Sequence, residues 1–387
     1  MKVCDLTQFY SPVSGGVKRY LHEKVLYLHE HTEDEHILIV PGEKDGLAVE
    51  GRSRTYSIRS PLVSKTSRYR ALLRLHAVEE VLEKEMPDII ESGDPYQVAW
   101  KAIASGAALR IPAVGFYHSH FPEAYLRSVR KFFGSAATDF AFDMAMRYVR
   151  HLYNRFSKTL VPSPALGRLL ADWGVENVRN IDLGVNTAVF KPQPAACVRA
   201  ELGVPAERTL LLYVGRLAAE KNTRTLFDAF ELLTRERPGR FHLLAIGDGL
   251  QRPLLKDLQQ TTGAVTWLPY CADSAKLARF YSAADLFVHP GVQETFGLVT
   301  LESQACGTPV VGIRGSYMDR IIHSDQAHWA AENSPEALAR AVVEAAEQDL
   351  CAVGAAVSRR VAAQYSWEKV FSRLFEIYRE TIRDYRN

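Results

Sequence analysis

The sequence predicts an α/β protein built from two doubly wound domains, each with a parallel sheet. Short β-branched runs alternate with longer helical patterns along the whole chain, which is typical of parallel βαβ units. The length of 387 residues is too great for one ordinary hydrophobic core and fits two. Two such domains are expected to face each other across a cleft.

The strands are predicted where apolar, β-branched runs are bounded by turn-forming residues. In the first half of the chain they are Lys2–Leu6, Ile37–Val40, Thr55–Ile58, Asp88–Glu91, Ala113–Tyr117, Thr159–Pro162 and Arg179–Leu183. In the second half they are Thr209–Val214, Phe241–Ile246, Val265–Leu268, Leu286–His289, Pro309–Gly312 and His328–Ala330.

The domain boundary is predicted in the segment GVNTAVFKPQPAA, which has two prolines, a glycine and no strong periodicity. This places an N-terminal domain at residues 1–184, a linker at 185–197 and a second domain at 198–365. Residues 366–387 form an amphipathic helix, with apolar positions at helical spacing from Val370 to Ile382. On the pattern alone, this helix is expected to cover the sheet of the second domain.

Composition excludes several classes of protein. The longest apolar runs are far shorter than the roughly 20 residues that cross a bilayer, so no transmembrane helix is predicted. The N-terminal residues lack the pattern of a secretory signal, which favours a cytoplasmic location. The net charge of +2 gives no argument for nucleic acid as a partner. The five cysteines show no CxxC pair or zinc-ligand spacing, so they are expected to be reduced thiols.

The first motif with chemical content is the loop from Gly215 to Asn222, which follows a predicted strand. Ligands of open α/β sheets bind at the carboxyl ends of strands, so this loop is expected to face the cleft. Arg216 and Lys221 are then two cations suited to a diphosphate. Asn222 is expected to cap the helix that follows.

The second motif runs from Glu294 to Glu302 and follows the strand that ends near His289. Gly297 lies between the two carboxylates and allows a ligand to approach the start of a helix, which favours phosphate. Carboxylates beside an anion site are consistent with a ligand that carries hydroxyl groups as well. A nucleotide sugar has both features, so Glu294 and Glu302 are predicted to bind its hydroxyls.

Two glycine motifs also follow predicted strands. Gly247-Asp248-Gly249 is explained equally well by a nucleotide pocket and by a tight turn. Gly15-Gly16 opens a helix and permits close approach of the backbone to phosphate or sugar. It lacks the G-x-G-x-x-G pattern of dinucleotide sites.

Histidines follow the predicted strand that ends at Tyr117. Most histidines are structural or solvated, but an imidazole at the carboxyl end of a strand can contact a reacting sugar. This position favours His118 as the contact. His120 and, on the same segment, Tyr125 are weaker candidates for the acceptor side.

Together these motifs resemble the retaining glycosyltransferases of family 4, which have two Rossmann-like domains in the GT-B arrangement. The resemblance covers nearly the whole chain. It is carried, in the family's order, by Gly15-Gly16, Tyr117-His118-Ser119, Val161-Pro162-Ser163, Gly184-Val185-Asn186, Phe190, Gly215-Arg216, Glu220-Lys221-Asn222, Gly247-Asp248-Gly249, Glu294, Phe296-Gly297, Glu302 and the segment Cys306 to Val311.

The resemblance implies a role for each matched residue. Arg216 and Lys221 would bind the donor diphosphate and stabilise the leaving nucleotide. Glu302 would bind the ribose, Gly16 the phosphate side of the cleft, and His118 the sugar near its anomeric carbon. The transferred sugar would be held by Glu294 and the backbone around Gly297, in the segment Glu294-Thr295-Phe296-Gly297-Leu298. The resemblance also implies a front-face, oxocarbenium-like reaction and a terminal helix that returns to the first domain.

The acceptor is expected to be a lipid or a glycan. Residues 126–158 carry seven basic and two acidic side chains, interleaved with aromatic ones, and a further basic group is assigned to an early helix. These residues form either a surface for anionic lipid or ordinary solvated helices. The basic residues are Arg127, Arg130, Lys131, Arg147, Arg150, Arg155 and Lys158, followed by the early group Lys65, Arg68, Arg70 and Arg74.

Three other functions fit the sequence less well than sugar transfer. A GT-B-type sugar-nucleotide epimerase fits the Glu294 to Glu302 pattern less well. A phosphorylase would need a lysine for pyridoxal phosphate, which the sequence does not identify. A catalytically silent nucleotide-sugar-binding protein would not need the complete set of charged residues. No permanently bound cofactor is predicted, and no DxD pair suggests that the donor needs a divalent metal.

Overall fold

The architecture is taken from a computed structural model, which describes residues 1–10, 16–63, 69–118, 139–194, 196–292, 296–316, 318 and 320–387. The chain forms two compact units. Unit 1 comprises Met1–Leu183 and Trp367–Asn387, and unit 2 comprises Gly184–Ser366.

The strands follow the apolar, β-branched runs of the sequence closely. In chain order they are β1 (Lys2–Leu6), β2 (Phe9–Tyr10), β3 (Glu35–Gly42), β4 (Gly46–Glu50), β5 (Ser53–Arg59), β6 (Arg70–Ala71), β7 (Ile89–Ser92), β8 (Ala113–Phe116), β9 (Lys158–Val161), β10 (Val178–Asn180), β11 (Thr209–Val214), β12 (Phe241–Ile246), β13 (Val265–Leu268), β14 (Leu286–Val288) and β15 (Val310–Val311).

The helices alternate with these strands. In chain order they are α1 (Gly16–His31), α2 (Leu75–Glu85), α3 (Gln97–Leu109), α4 (described over 139–153), α5 (Pro164–Asp172), α6 (Ala196–Glu201), α7 (Thr223–Glu236), α8 (Arg252–Thr262), α9 (Ser274–Ala283), α10 (Leu298–Ala305), α11 (Pro335–Ala346), α12 (Leu350–Tyr365) and α13 (Trp367–Arg386). Short 3-10 turns lie at Ala219–Lys221 and Gln326–His328.

The main sheet of unit 1 has the strand order β10-β9-β8-β7-β1-β3-β5-β4. Its strands pair in parallel except β4, which runs antiparallel to β5 at the edge. The central strands are buried over most of their length because helices cover both faces of a parallel sheet. The sequence pattern did not predict β4, whose five residues GLAVE are all exposed and show no buried face.

The sheet of unit 2 has the order β13-β12-β11-β14-β15 and is parallel throughout its described pairings. The predicted strand at His328–Ala330 is wrong. Gln326–His328 forms a 3-10 turn because the Asp325 side chain accepts a hydrogen bond from the Ala327 N–H, and Ala330 then makes only an isolated bridge to Ile313.

The terminal helix α13 packs within unit 1, as the family resemblance implies and contrary to the pattern-based expectation that it covers the second sheet. Phe371, Leu374, Phe375 and Tyr378 on its apolar stripe are fully buried. In the part of the chain that the structure describes, no helix is long and apolar enough to cross a bilayer.

Each main sheet has one point at which the chain reverses its direction of travel across the sheet. In unit 1 this switch point lies between β1 and β7, and in unit 2 it lies between β11 and β14. Ligands of doubly wound sheets bind outside the carboxyl ends of the strands at such points. The loops that follow these four strands are therefore where a site is expected.

Candidate active site

The loop after β11 carries the two predicted phosphate-binding cations of unit 2. The Arg216 side chain is 68% exposed, and its Nη1 lies 3.1 Å from Glu220 Oε1. Lys221 ends the short 3-10 turn and is partly buried. An exposed ion pair of this kind contributes little to stability, so Arg216 can exchange its carboxylate partner for a ligand at small cost.

Asn222 connects the two loops of the unit 2 switch point. It occupies the N-cap position of α7, but its backbone is left-handed, with φ of 56°, and its side chain does not cap the helix. Its Nδ2 instead donates to the carbonyl of Pro290 after β14, at 2.8 Å, and to Asn333 Oδ1 at 2.7 Å. The predicted capping role is therefore wrong, because the left-handed backbone directs the amide to the neighbouring loop.

The helix α10 begins directly after the second of these loops. Gly297 holds its N-cap position with φ of 75°, and its carbonyl accepts hydrogen bonds from the N–H and hydroxyl of Thr300. Leu298 is the first helical residue. Phe296 is buried, and the guanidinium carbon of Arg320 lies 5.7 Å from the centroid of the Phe296 ring. The loop thus presents a helix start at the switch point, as the TFG motif predicts.

Glu302 lies on α10 and is only 2% exposed. Its Oε2 accepts a hydrogen bond of 3.0 Å from the hydroxyl of Tyr281 on α9. This hydrogen bond restrains the orientation of the carboxylate, and the predicted binding of ribose by Glu302 stays a prediction. Sequence reasoning missed Tyr281, since nothing in the pattern of α9 distinguishes it from an ordinary core aromatic.

The Gly247-Asp248-Gly249 motif packs the loop after β12 onto the loop after β11. A Cβ on Gly247, whose φ is 142°, would lie 1.9 Å from the carbonyl oxygen of Gly215. The Asp248 carboxylate accepts from the Gly249 N–H at 2.7 Å and pairs with Arg252 at 3.0 Å. These contacts favour the tight-turn interpretation, and donor binding by Gly247 and Asp248 stays a prediction.

In unit 1, His118 follows β8, the neighbour of β7, at the carboxyl edge of the sheet. Its ring stacks on Phe116 with centroids 3.9 Å apart and meets the Tyr20 ring edge-on at 5.2 Å. Burial lowers the pKa of the imidazole to about 3, and the positive charge of Lys24 acts in the same direction. His118 is therefore neutral at physiological pH and can exchange hydrogen bonds without carrying charge.

A small cavity opens beside this imidazole. Its lining includes Thr7 after β1, Gly93 after β7, and Val17 near the start of α1. Gly16, the first described residue of that helix, is exposed. The cavity lies at the switch point of unit 1, where the fold predicts a ligand.

Asp94, which sequence reasoning also missed, connects the two loops of this switch point. Its Oδ2 accepts hydrogen bonds from the Thr7 hydroxyl at 2.6 Å and from the Gln8 N–H at 2.7 Å. Burial raises the pKa of this carboxyl, and the hydrogen bonds oppose that rise. The sequence offered only its position, two residues after the end of β7. Asp94 joins the two switch-point loops of unit 1 by hydrogen bonds, as Asn222 does in unit 2.

Five of the predicted site residues lie outside the described residues: Gly15, His120, Tyr125, Glu294 and Thr295. Their roles stay predictions. Within unit 2, Asn222 joins the loop that carries Arg216 and Lys221 to Pro290 after β14. Within unit 1, His118 lines the same cavity as Val17 near the start of α1.

Comparison with known proteins identifies the family. The family model for Glycosyltransferase Family 4 matches residues 14–189, and the model for Glycosyl transferases group 1 matches residues 208–348. The chain is 30% identical over 356 residues to the GDP-mannose-dependent alpha-(1-6)-phosphatidylinositol dimannoside mannosyltransferase of Mycobacterium tuberculosis, covering 88% of this chain and 87% of that protein. It is 36% identical over 219 residues to the D-inositol 3-phosphate glycosyltransferase of Thermobispora bispora, and this match covers 54% of the chain and only about half, 51%, of that relative.

Among solved structures, the sucrose-phosphate synthase of Thermosynechococcus elongatus has the same fold. It superposes with a TM-score of 0.76 over 98% of this chain and 99% of its own, at 21% identity. The fold is thus GT-B, with two parallel-sheet α/β domains, and a fold alone does not establish a function. On the family models and the 30% identity to a relative along nearly the whole chain, this protein belongs to glycosyltransferase family 4.

Proposed function

We propose that the protein transfers a hexose-type sugar from a UDP- or GDP-linked donor to a lipid or glycan acceptor, with retention of anomeric configuration. The observation that carries this proposal is the unit 2 switch point. Two cations follow β11, a glycine-led helix start and the buried Glu302 follow β14, and Asn222 joins the two loops. Cations for a diphosphate and a carboxylate for hydroxyls are the groups that a nucleotide sugar needs.

In the proposed reaction, Arg216 and Lys221 stabilise the charge that develops on the departing nucleotide diphosphate. Cations held in place before the reaction lower the barrier because they need no reorganisation as charge forms. The bond between the anomeric carbon and the diphosphate oxygen breaks, and the acceptor hydroxyl oxygen bonds to that carbon on the same face through an oxocarbenium-like transition state. The hydroxyl proton passes to the departing diphosphate, so the enzyme needs no nucleophile. Glu302 binds the ribose, Glu294 and the backbone near Gly297 hold the sugar, and unit 1 contributes Gly16 and the neutral His118.

We also propose that no divalent metal and no permanently bound cofactor are required. Arg216 and Lys221 then supply the positive charge for the diphosphate, which Mg²⁺ supplies in many other nucleotide-dependent enzymes. Full activity after dialysis against EDTA is the expected result. Loss of activity that added Mg²⁺ or Mn²⁺ restores would contradict it.

GDP-mannose is the first donor to test, because the mannosyltransferase of Mycobacterium tuberculosis is named for it, and 87% of that protein aligns with this chain. Thermal shifts should be measured with UDP, GDP, ADP and CMP and with their sugar conjugates, since a ligand that binds only the folded state raises its melting temperature. The shift with one base should disappear in Lys221→Ala and persist in Lys276→Ala, which removes an exposed lysine elsewhere in unit 2. An unchanged shift in Lys221→Ala would refute the role of this lysine.

The proposed acceptor is a lipid presented by an anionic membrane surface, with the protein on the cytoplasmic face as a peripheral component. Two apolar side chains on α4, Phe140 and Met144, are 70% and 51% exposed. Arg147 and Arg150 are also exposed on this helix, as a helix that lies on anionic lipid requires. In the early basic group, however, Arg74 precedes α2 and pairs with Asp45 at 2.7 Å, so it belongs to no basic helix face.

Sedimentation with liposomes tests the membrane surface. Binding to anionic vesicles at low salt, but not to neutral ones, is expected, and the paired change Phe140→Glu and Met144→Glu should abolish it. The control is the paired change Leu250→Glu and Leu254→Glu, which alters two exposed apolar residues of unit 2. Failure of the wild-type protein to sediment would remove the membrane from the proposal and leave a soluble glycan as the acceptor.

A further inference from the structure

A buried ionic network lies behind the cavity of unit 1. Lys24 on α1 is fully buried, and Asp5 and Glu91 are each only 2% exposed. The Lys24 ammonium has three partners: Asp5 Oδ1 at 2.8 Å, Glu91 Oε1 at 3.0 Å and Tyr378 Oη at 3.0 Å. A buried charge is strongly destabilising unless it is paired and hydrogen-bonded, so this network holds its members in one arrangement.

Tyr20 lies between this network and His118. Its hydroxyl donates to Glu91, with Oε1 at 3.1 Å and Oε2 at 3.3 Å, and the Lys24 ammonium lies 4.5 Å from its ring centroid. The same ring meets the imidazole of His118 edge-on, with ring centroids 5.2 Å apart. Tyr20 is only 1% exposed, so its ring has no alternative space to occupy.

The terminal helix closes the same cluster from a third direction. The rings of Trp367 and Phe371 lie 6.2 Å and 5.6 Å from that of Tyr20, and they stack on each other at 4.9 Å. The Tyr378 hydroxyl also donates to Glu91. The Tyr20 ring is therefore restrained by residues that lie more than 340 positions away from it in the chain.

We infer that Tyr20 is a positioning residue for His118, fixed by Glu91 and by the terminal helix. The inference rests on the proposed function, in which His118 contacts the reacting sugar. Phe116 supports one face of the imidazole, and Tyr20 closes its edge, so the ring can move little without displacing the network. Geometry of this kind matters because a displacement of about 1 Å at a reacting centre can reduce the rate about 100-fold.

Two variants separate the ring of Tyr20 from its hydroxyl. Tyr20→Leu removes the edge contact with His118, whereas Tyr20→Phe keeps the ring and removes only its anchor on Glu91. Tyr56 provides matched controls in the same unit, since it is also buried and donates to Glu85 at 2.5 Å. Tyr56→Leu and Tyr56→Phe impose a comparable structural loss without contact to His118.

The first measurement is the NMR signal of the His118 imidazole in histidine-labelled full-length protein, assigned through His118→Gln. We expect both Tyr20 variants to shift this signal, Tyr20→Leu the more, and both Tyr56 variants to leave it in place. An unchanged His118 signal in the Tyr20 variants, or an equal change in the Tyr56 variants, would overturn the inference. This readout needs no substrate.

The second measurement is steady-state sugar transfer. Tyr20→Leu should lower kcat about 10- to 100-fold with donor KM changed less than about twofold, and Tyr20→Phe should have a smaller effect of the same kind. A rise in KM at constant kcat would assign Tyr20 to binding and contradict a positioning role. If the wild-type protein transfers no sugar, the proposed function fails, while the NMR measurement still decides whether Tyr20 positions His118.

Discussion

Asn222 offers the sharpest test of how the unit 2 site is held together. Asn222→Ala removes the side chain that joins the loop after β11 to the loop after β14. It also leaves alanine in a left-handed backbone conformation that asparagine tolerates better, because the short polar side chain of asparagine can hydrogen-bond locally. Asn222→Gly removes the same hydrogen bonds but accepts this conformation without strain. The two variants therefore share one effect and differ in the other.

The magnitudes follow from the contacts. The side chain of Asn222 makes three hydrogen bonds, to the Pro290 carbonyl at 2.8 Å, to Asn333 at 2.7 Å and from the Thr225 hydroxyl at 2.9 Å. A hydrogen bond contributes about 0.5–1.5 kcal/mol net, and at this partly exposed site the sum is about 2 kcal/mol. The left-handed backbone adds about 1 kcal/mol for alanine. Unfolding of unit 2 should thus become easier by about 2 kcal/mol for Asn222→Gly and about 3 kcal/mol for Asn222→Ala.

Thermal unfolding with and without the donor nucleotide measures both consequences. Each kcal/mol corresponds to about 2–4 °C in a unit of this size, so the melting temperature should fall by about 4–8 °C in Asn222→Gly and further in Asn222→Ala. The stabilisation by nucleotide should also shrink in both, because the loop that carries Arg216 and Lys221 loses its connection to Pro290. Thr225→Ala, which removes only one of the three hydrogen bonds, is the control.

Two results would refute this reasoning. Melting temperatures within 1 °C of wild type in both variants would mean that the connection contributes no stability. A larger loss for glycine than for alanine would mean that the left-handed backbone is not the source of the difference.

Three further changes test other parts of the molecule. Tyr281→Phe removes the hydroxyl that orients Glu302, and the loss of this hydrogen bond should weaken donor binding by about 1 kcal/mol. The donor KM in steady-state kinetics should then rise about fivefold, and an unchanged KM would contradict this role of Tyr281. The folded-state pKa of His118, about 3, lies below its ordinary value of 6.5, so the unfolded chain takes up the proton first and stability is lost as pH falls from 6.5 toward 3. Between pH 7.5 and 5, wild type should therefore lose about 2 kcal/mol more than His118→Gln in urea titrations, and equal losses would refute a neutral imidazole at position 118 in the folded protein. Gly247→Ala should destabilise unit 2 by more than about 3 kcal/mol, since its Cβ meets backbone at 1.9 Å, whereas Gly239→Ala, with φ of 76° and open space, should cost only about 1 kcal/mol in the same melts.

Local pattern was sufficient for most of the regular structure. Lys2–Leu6, Thr209–Val214, Phe241–Ile246 and Val265–Leu268 are strands with the predicted bounds, because the strands of a covered parallel sheet are rich in apolar, β-branched residues. The same runs predicted that Arg216 would follow a strand end. A pattern of apolar residues could not reveal the edge strand β4, which has no buried face, or the 3-10 turn near Trp329, which Asp325 caps locally.

The sequence by itself therefore determined the fold class and the family and predicted the loops of the candidate site, since each of these is written in runs of adjacent residues. Only the tertiary structure decided which side chains support those loops. Asn222 reaches Pro290 across 68 residues, Asp94 reaches Thr7 across 87, and Lys24 reaches Tyr378 across 354. Such partners are chosen by strand order and helix docking, and no periodicity along the chain encodes a hydrogen bond between residues so far apart.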